Sequence, residues 1–269
     1  MAMIRHRIDV PTLAAIAALV GVVSTQAHEG LGHGGMCLAE GLHLNAWGAF
    51  YVDCGSETDP LFARKLVEMA GSTVNLIVAI VAALLFVATS PQRFTLRFIL
   101  WLTATLNAFE WAGYFLFSGV GGIGDWGVGP SGVLFGVANP WAWRALMAFG
   151  GMAIYWWLAI RAMHALAGMT GDDPAGRAQA KLLSLGAYAT IGVVAVLVGL
   201  LNPEGVFVVI ASAGAASLGG ASGLWWGINM IPRTEQAGDF ELRRNWPLIV
   251  AAIVVVAAEA VILGPTLRL

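Results

Sequence analysis

Apolar stretches of about twenty residues follow one another along the chain between short polar breaks, the length of helix that spans a bilayer's hydrocarbon core. Seven spans are predicted: Val10–Gln26, Leu66–Thr89, Phe98–Val120, Trp141–His164, Leu182–Leu201, Val206–Ile231 and Trp246–Leu263. Pro11, Pro91, Pro140, Pro203, Pro232 and Pro247 fall at or near the breaks, where a missing N–H disrupts least. The expected fold is an all-α, polytopic bundle of about seven transmembrane helices, forming one integral membrane domain over residues 1–269. Small residues between Ser212 and Gly223, among them Gly214, Gly219 and Gly220, predict close helix contacts for span six.

Composition excludes a water-soluble enzyme. Only 11% of residues are charged and 58% are hydrophobic, whereas soluble domains carry roughly 25% charge. Lys and Arg number 14 against 16 Asp and Glu, a net charge of -2, so the expected partner is lipid and not nucleic acid. With the N-terminus in the cytoplasm, ten of the 14 basic residues fall on inner segments, leaving only Arg64, Lys65, Arg144 and Arg268 outside. That bias predicts an integral protein of a bacterial inner membrane with a cytoplasmic N-terminus. The opening also reads as a signal peptide, with Arg5-His6-Arg7 as its basic part and Thr25-Gln26-Ala27 as its cleavage site.

The outer segment Ala27–Lys65 holds both cysteines, Cys37 and Cys54, which either close a disulfide, as an oxidising compartment allows, or stand as two unpaired thiols. It opens with Ala27-His28-Glu29-Gly30-Leu31-Gly32-His33, two imidazoles with a carboxylate beside the first. Ionisable groups at the edge of hydrocarbon are expensive, so their presence points to a function. The grouping is close to the zinc-hydrolase pattern His-Glu-x-x-His, in which the Glu takes a proton from water at the metal. The histidines here are five apart, not four, which on a regular α-helix separates them by about 140°. A shared Zn2+ therefore requires a π-bulge or other distortion between His28 and His33, for which Gly30 and Gly32 provide room. Asp125, in the Gly-rich segment after the third span, is the favoured third ligand; Glu40, Asp53 and Asp59 are rivals, and His43 reads as a loop residue. Asn75, Asn107 and Glu110 are polar positions within spans, suited to inter-helix hydrogen bonds or to substrate handling. Glu68 and Glu259, near outer helix ends, read as structural.

Three pieces together resemble the site-2-protease family of intramembrane zinc metallopeptidases. His28-Glu29-Gly30-Leu31-Gly32-His33 resembles the metal-binding helix, Ala70-Gly71-Ser72-Thr73-Val74-Asn75 the family's Ala-Gly-Pro-x-x-Asn segment, and Asn107 through Gly124-Asp125 the later Asn…Asp-Gly element. The chain departs from the family in its histidine spacing, in Ser72 for Pro, in Trp126 for Gly after the aspartate, and in a long gap after Asn107. The family also usually holds its metal nearer the cytosolic face. The resemblance implies a core over 27–126 with additional helices over 141–269. By it His28, His33 and Asp125 hold zinc, Glu29 is the general base, Asn75 and Asn107 position the peptide, and the substrate is a membrane-protein helix. The alternative is a non-catalytic membrane protein that binds or passes a metal ion or small solute through the same groups, which requires a continuous polar route to the cytoplasm. Gly129-Pro130-Ser131-Gly132 also resembles the rhomboid serine motif, but the next histidine, His164, lies at the far end of the following span, out of reach.

Overall fold

The computed structural model describes residues 8–203, 217–233 and 236–269 and is an all-α helical bundle with a small sheet at one end. Helix α1 (Val10–Gln26) is capped by Asp9, whose carboxylate accepts from the Thr12 N–H at 3.0 Å, with Pro11 in its first turn. It does not stop at Gln26. A π-helical turn, Ala27–Gly34, and α2 (Gly35–Ala39) extend it into one rod, Val10–Ala39. A hairpin of β1 (Leu44–Trp47) and β2 (Val52–Cys54) follows, then the long helices α3 (Leu61–Ala88), α4 (Phe94–Gly121), α5 (Pro140–Thr170) and α6 (Pro174–Gly199). The chain closes with α7 (Gly223–Trp226), a 3-10 turn (Gly227–Met230), α8 (Trp246–Ala258), a second π-helical turn (Glu259–Leu263) and β3 (Leu267–Arg268).

Among the described residues, five rods are long and apolar enough to cross a membrane: Val10–Ala39, Leu61–Ala88, Pro140–Thr170, Pro174–Gly199 and Trp246–Leu263. Helix α4, 28 residues long, packs against both α3 and α5. Its approach to α5 depends on missing side chains: a Cβ on Gly119 would lie 2.6 Å from the Ala148 nitrogen, and one on Gly151 2.8 Å from the Leu116 nitrogen. Between helices in lipid such close backbone packing replaces the hydrophobic drive available in water.

Span six departs from expectation. Residues 206–216, with Ser212 and Gly214, lie outside the described residues, as do Arg5, His6 and Arg7. The part that follows is a broken series of short turns and not one continuous helix. Neighbouring side chains meet its interrupted backbone: Ser184 donates to the Leu224 carbonyl at 2.6 Å, and Tyr155 Oη accepts from the Gly223 N–H at 2.8 Å. Irregular backbone at membrane depth is tolerated where protein satisfies it in this way. The close contact expected at Gly223 is present, since a Cβ there would lie 2.6 Å from the Phe109 ring.

The two ends of the bundle are distinct. At one, Ile8 pairs with Leu242, Gly171 with Ala237, and Arg244 reaches Asp9 at 2.8 Å. At the other, the sheet runs β2-β1-β3, so the C-terminal strand completes the hairpin of the first outer segment. Ser131 sits exposed in a turn, and His164 lies beside Asp172 and Gln236 at the opposite end.

Cys37 and Cys54 form the disulfide, joining α2 to β2 across 17 residues. Closing a loop of this size limits the unfolded chain by about 3 kcal/mol. Cys37→Ser is therefore expected to lower the thermal midpoint as much as reductant does on the wild type. Rapid alkylation of both thiols in unreduced protein would contradict the pairing.

Candidate metal centre

The π-helical turn resolves the spacing of the two histidines. Its N–H groups bond to the carbonyl five residues back, as the Gly35 N–H does to Gly30, so residues five apart stack one turn above the other. His28 and His33 therefore face the same way, with Nε2 atoms 3.1 Å apart and ring centroids 4.8 Å apart. Gly32 allows the turn to press on α3: a Cβ there would lie 2.6 Å from the Gly71 Cα.

Asp125 reaches the pair from the loop after α4. That loop turns through Gly122 and Gly124, at φ +71° and +78°, where side chains are rarely accommodated. Asp125 Oδ2 lies 3.3 Å from His28 Nε2 and 3.6 Å from His33 Nε2. The next residue holds the loop down, the Trp126 indole N–H donating to Ser72 Oγ at 3.0 Å while its ring packs 4.8 Å from that of Phe115. Ser72 and Trp126, both departures from the family pattern, are thus partners in one contact.

Each histidine is oriented from behind. His33 Nδ1 lies 2.8 Å from the Val67 carbonyl, which can only accept, so the proton sits on Nδ1 and the Nε2 lone pair faces Asp125. The His28 ring stacks on Tyr114 at 4.5 Å and 15°. All three side chains are buried, His28 at 3%, His33 at 7% and Asp125 at 9% exposure.

These residues fit a cation. Asp125 Oδ2 has no hydrogen-bond partner although two ring nitrogens face it, an arrangement that buried acceptors do not sustain without positive charge. Donors 2.0–2.1 Å from a tetrahedral Zn2+ lie about 3.3 Å from one another, and the three edges here are 3.1, 3.3 and 3.6 Å. Two imidazoles and one carboxylate also leave a fourth position open, as catalytic zinc sites do. His28, His33 and Asp125 are the metal-capable group found among the described residues.

Glu29 is buried beside them, near the backbone of Val52 in β2. With His28, Glu110 and Tyr114 it lines a cavity of about 20 Å³, enough for one water molecule. Asn75 and Asn107 are both fully buried but differently engaged. Asn75 Nδ2 donates to Glu110 Oε2 at 3.1 Å; Asn107 Nδ2 donates to Ser24 Oγ at 2.8 Å and joins α4 to α1. Their side-chain carbonyl oxygens have no hydrogen-bond partner. The rival ligands lie elsewhere: Asp59 binds the Ser56 N–H at 2.6 Å, His43 meets Asn45 at 3.0 Å, and Asp53 and Glu40 are exposed. Glu110, read in the sequence as a polar position within a span, borders the cavity, and Gly71, read only as part of the 70–75 segment, lies beneath the imidazoles. Glu110 shares a helix face with Asn107 at i, i+3, which already joined the two; nothing local shows that Gly71 meets the imidazoles.

No family model, no curated protein and no solved structure matches this chain.

Proposed function

We propose that this chain is a site-2-protease-like zinc metallopeptidase that hydrolyses peptide bonds of membrane-embedded substrates. The reading is carried by the convergence of His28 Nε2, His33 Nε2 and Asp125 Oδ2 next to a water-sized cavity bordered by Glu29. Zinc held there supplies Lewis acidity, polarising a carbonyl and lowering the pKa of water to about 7. Glu29 takes the proton from the attacking water and delivers it to the departing amine nitrogen. The carbonyl oxygens of Asn75 and Asn107, buried and without a hydrogen-bond partner, are the acceptors that the resemblance assigns to the substrate backbone. Burial of the centre excludes bulk water and strengthens each of these electrostatic contacts.

The disulfide supports the orientation, because such bonds persist in oxidising compartments. The sheet and the metal centre then face the outside of a bacterial inner membrane and the N-terminus faces the cytoplasm, in agreement with the basic-residue bias. Passage of an ion or solute is the second reading. It is disfavoured by the apolar core that α1, α4, α5 and α6 build, including Ile16, Leu102, Leu106, Phe109, Met163 and Leu183.

The test is metal content with cleavage. Purified protein is expected to carry about one zinc per chain, His28→Ala and His33→Ala to carry little, and chelation to stop cleavage until zinc is returned. Equal zinc in all three proteins would remove the foundation of the proposal. Ion flux without cleavage would favour the second reading.

A further inference from the structure

Hydrolysis consumes one water per bond cut, and a centre buried in a lipid-embedded bundle needs a way to hold and replace it. The cavity beside His28 and Glu29 is followed by a second, also of about 20 Å³. Each is just large enough for one water. Thr25, Phe50, Glu110 and Ser217 border both, and the second extends to Glu259. Glu259 is buried, accepts from Gln26 Nε2 at 2.8 Å, and begins the second π-helical turn, a distortion that concentrates at functional sites.

Glu110 stands where the two cavities meet. It is 7% exposed, and the Asn75 amide fixes its carboxylate by donating to Oε2. A water between Glu110 and Glu29 can donate one O–H to each carboxylate, which turns its lone pairs toward the third side, where His28 lies. Two polar partners are the minimum for a stable buried water, and such waters bind nearly as well as direct hydrogen bonds.

We propose that Glu110 is a positioning residue for the hydrolytic water, and that the adjoining cavity toward Glu259 is the reservoir that replaces it. This rests on the hydrolase reading above.

The full zinc-loaded chain tests this with two separate readouts. Radiolytic hydroxyl-radical labelling marks side chains beside bound water, and Phe50 borders both cavities. Phe50 is expected to label strongly in the wild type despite 8% exposure, while Phe98, at 0% and in the apolar core, does not. Glu110→Leu is expected to abolish the Phe50 labelling and to lower kcat on a fluorogenic apolar peptide about 100-fold, the loss typical of misplacing a reactant. Zinc content and KM stay unchanged. Glu110→Gln recovers much of that loss through a flip of the Asn75 amide, whose unpartnered Oδ1 then accepts from the introduced NH2 and leaves the introduced oxygen to accept from water. If Glu110→Leu loses zinc through misfolding, Thr25→Val carries the same test at another polar residue bordering both cavities, whose hydroxyl donates to the Gly21 carbonyl at 3.1 Å and keeps its lone pairs for a water. Absent Phe50 labelling in an active wild type overturns the water site alone, as does equal loss in the Gln and Leu variants. Strong labelling in a zinc-loaded wild type that cleaves nothing overturns the hydrolase reading instead.

Discussion

Gly71→Ala is expected to strip the metal centre while leaving the helix that carries it intact. A Cβ at this position would lie 2.5 Å from His33 Nε2 and 2.6 Å from His28 Nε2, the two atoms that face Asp125. No rotation of a methyl relieves such contacts, so the imidazoles must move. In a helix interior alanine is preferred to glycine by about 1 kcal/mol, so α3 itself gains from the change. The expected result is zinc content reduced at least about ten-fold, matching a site that loses more than about 1.4 kcal/mol of binding, with helical content retained by circular dichroism. Gly32→Ala is expected to act in the same direction, since its Cβ would press on the Gly71 backbone at 2.6 Å. Wild-type zinc in Gly71→Ala would mean that the histidines do not bind metal through these nitrogens.

Glu29→Gln separates chemistry from metal binding. The amide is nearly isosteric and leaves His28, His33 and Asp125 in place. It cannot take a proton. General-base catalysis contributes about 10²- to 10⁴-fold, so kcat is expected to fall within that range while zinc stays at the wild-type level. Unchanged cleavage would eliminate Glu29 as the base; loss of zinc would make it a structural support of the centre.

Ser72 and Trp126 are unrelated positions in the sequence but one contact in space. Taken singly, each is a mismatch to the family pattern. In space one donates to the other and fixes the loop that delivers Asp125. Similarly, the extra residue between the histidines is absorbed by the π-helical turn.

Much of the molecule was legible before any coordinates. Runs of apolar residues dictate where helices form, because within lipid each backbone group must find its partner inside its own segment. The His28 and His33 spacing already demanded a local distortion if both were to serve one ion, and two cysteines sharing a segment left a disulfide as one of two readings. All of these depend on residues near one another in the chain. Tertiary packing decided the remainder: that Gly71 lies beneath the imidazoles, that Asn75 holds Glu110 35 residues away, and that the final strand completes a sheet with β1. It also turned the later part of the sixth span into broken turns supported by Tyr155 and Ser184. Such contacts join helices whose relative rotation and depth are set by the close fit of many small surfaces at once, and periodicity along one helix carries no record of its neighbour's.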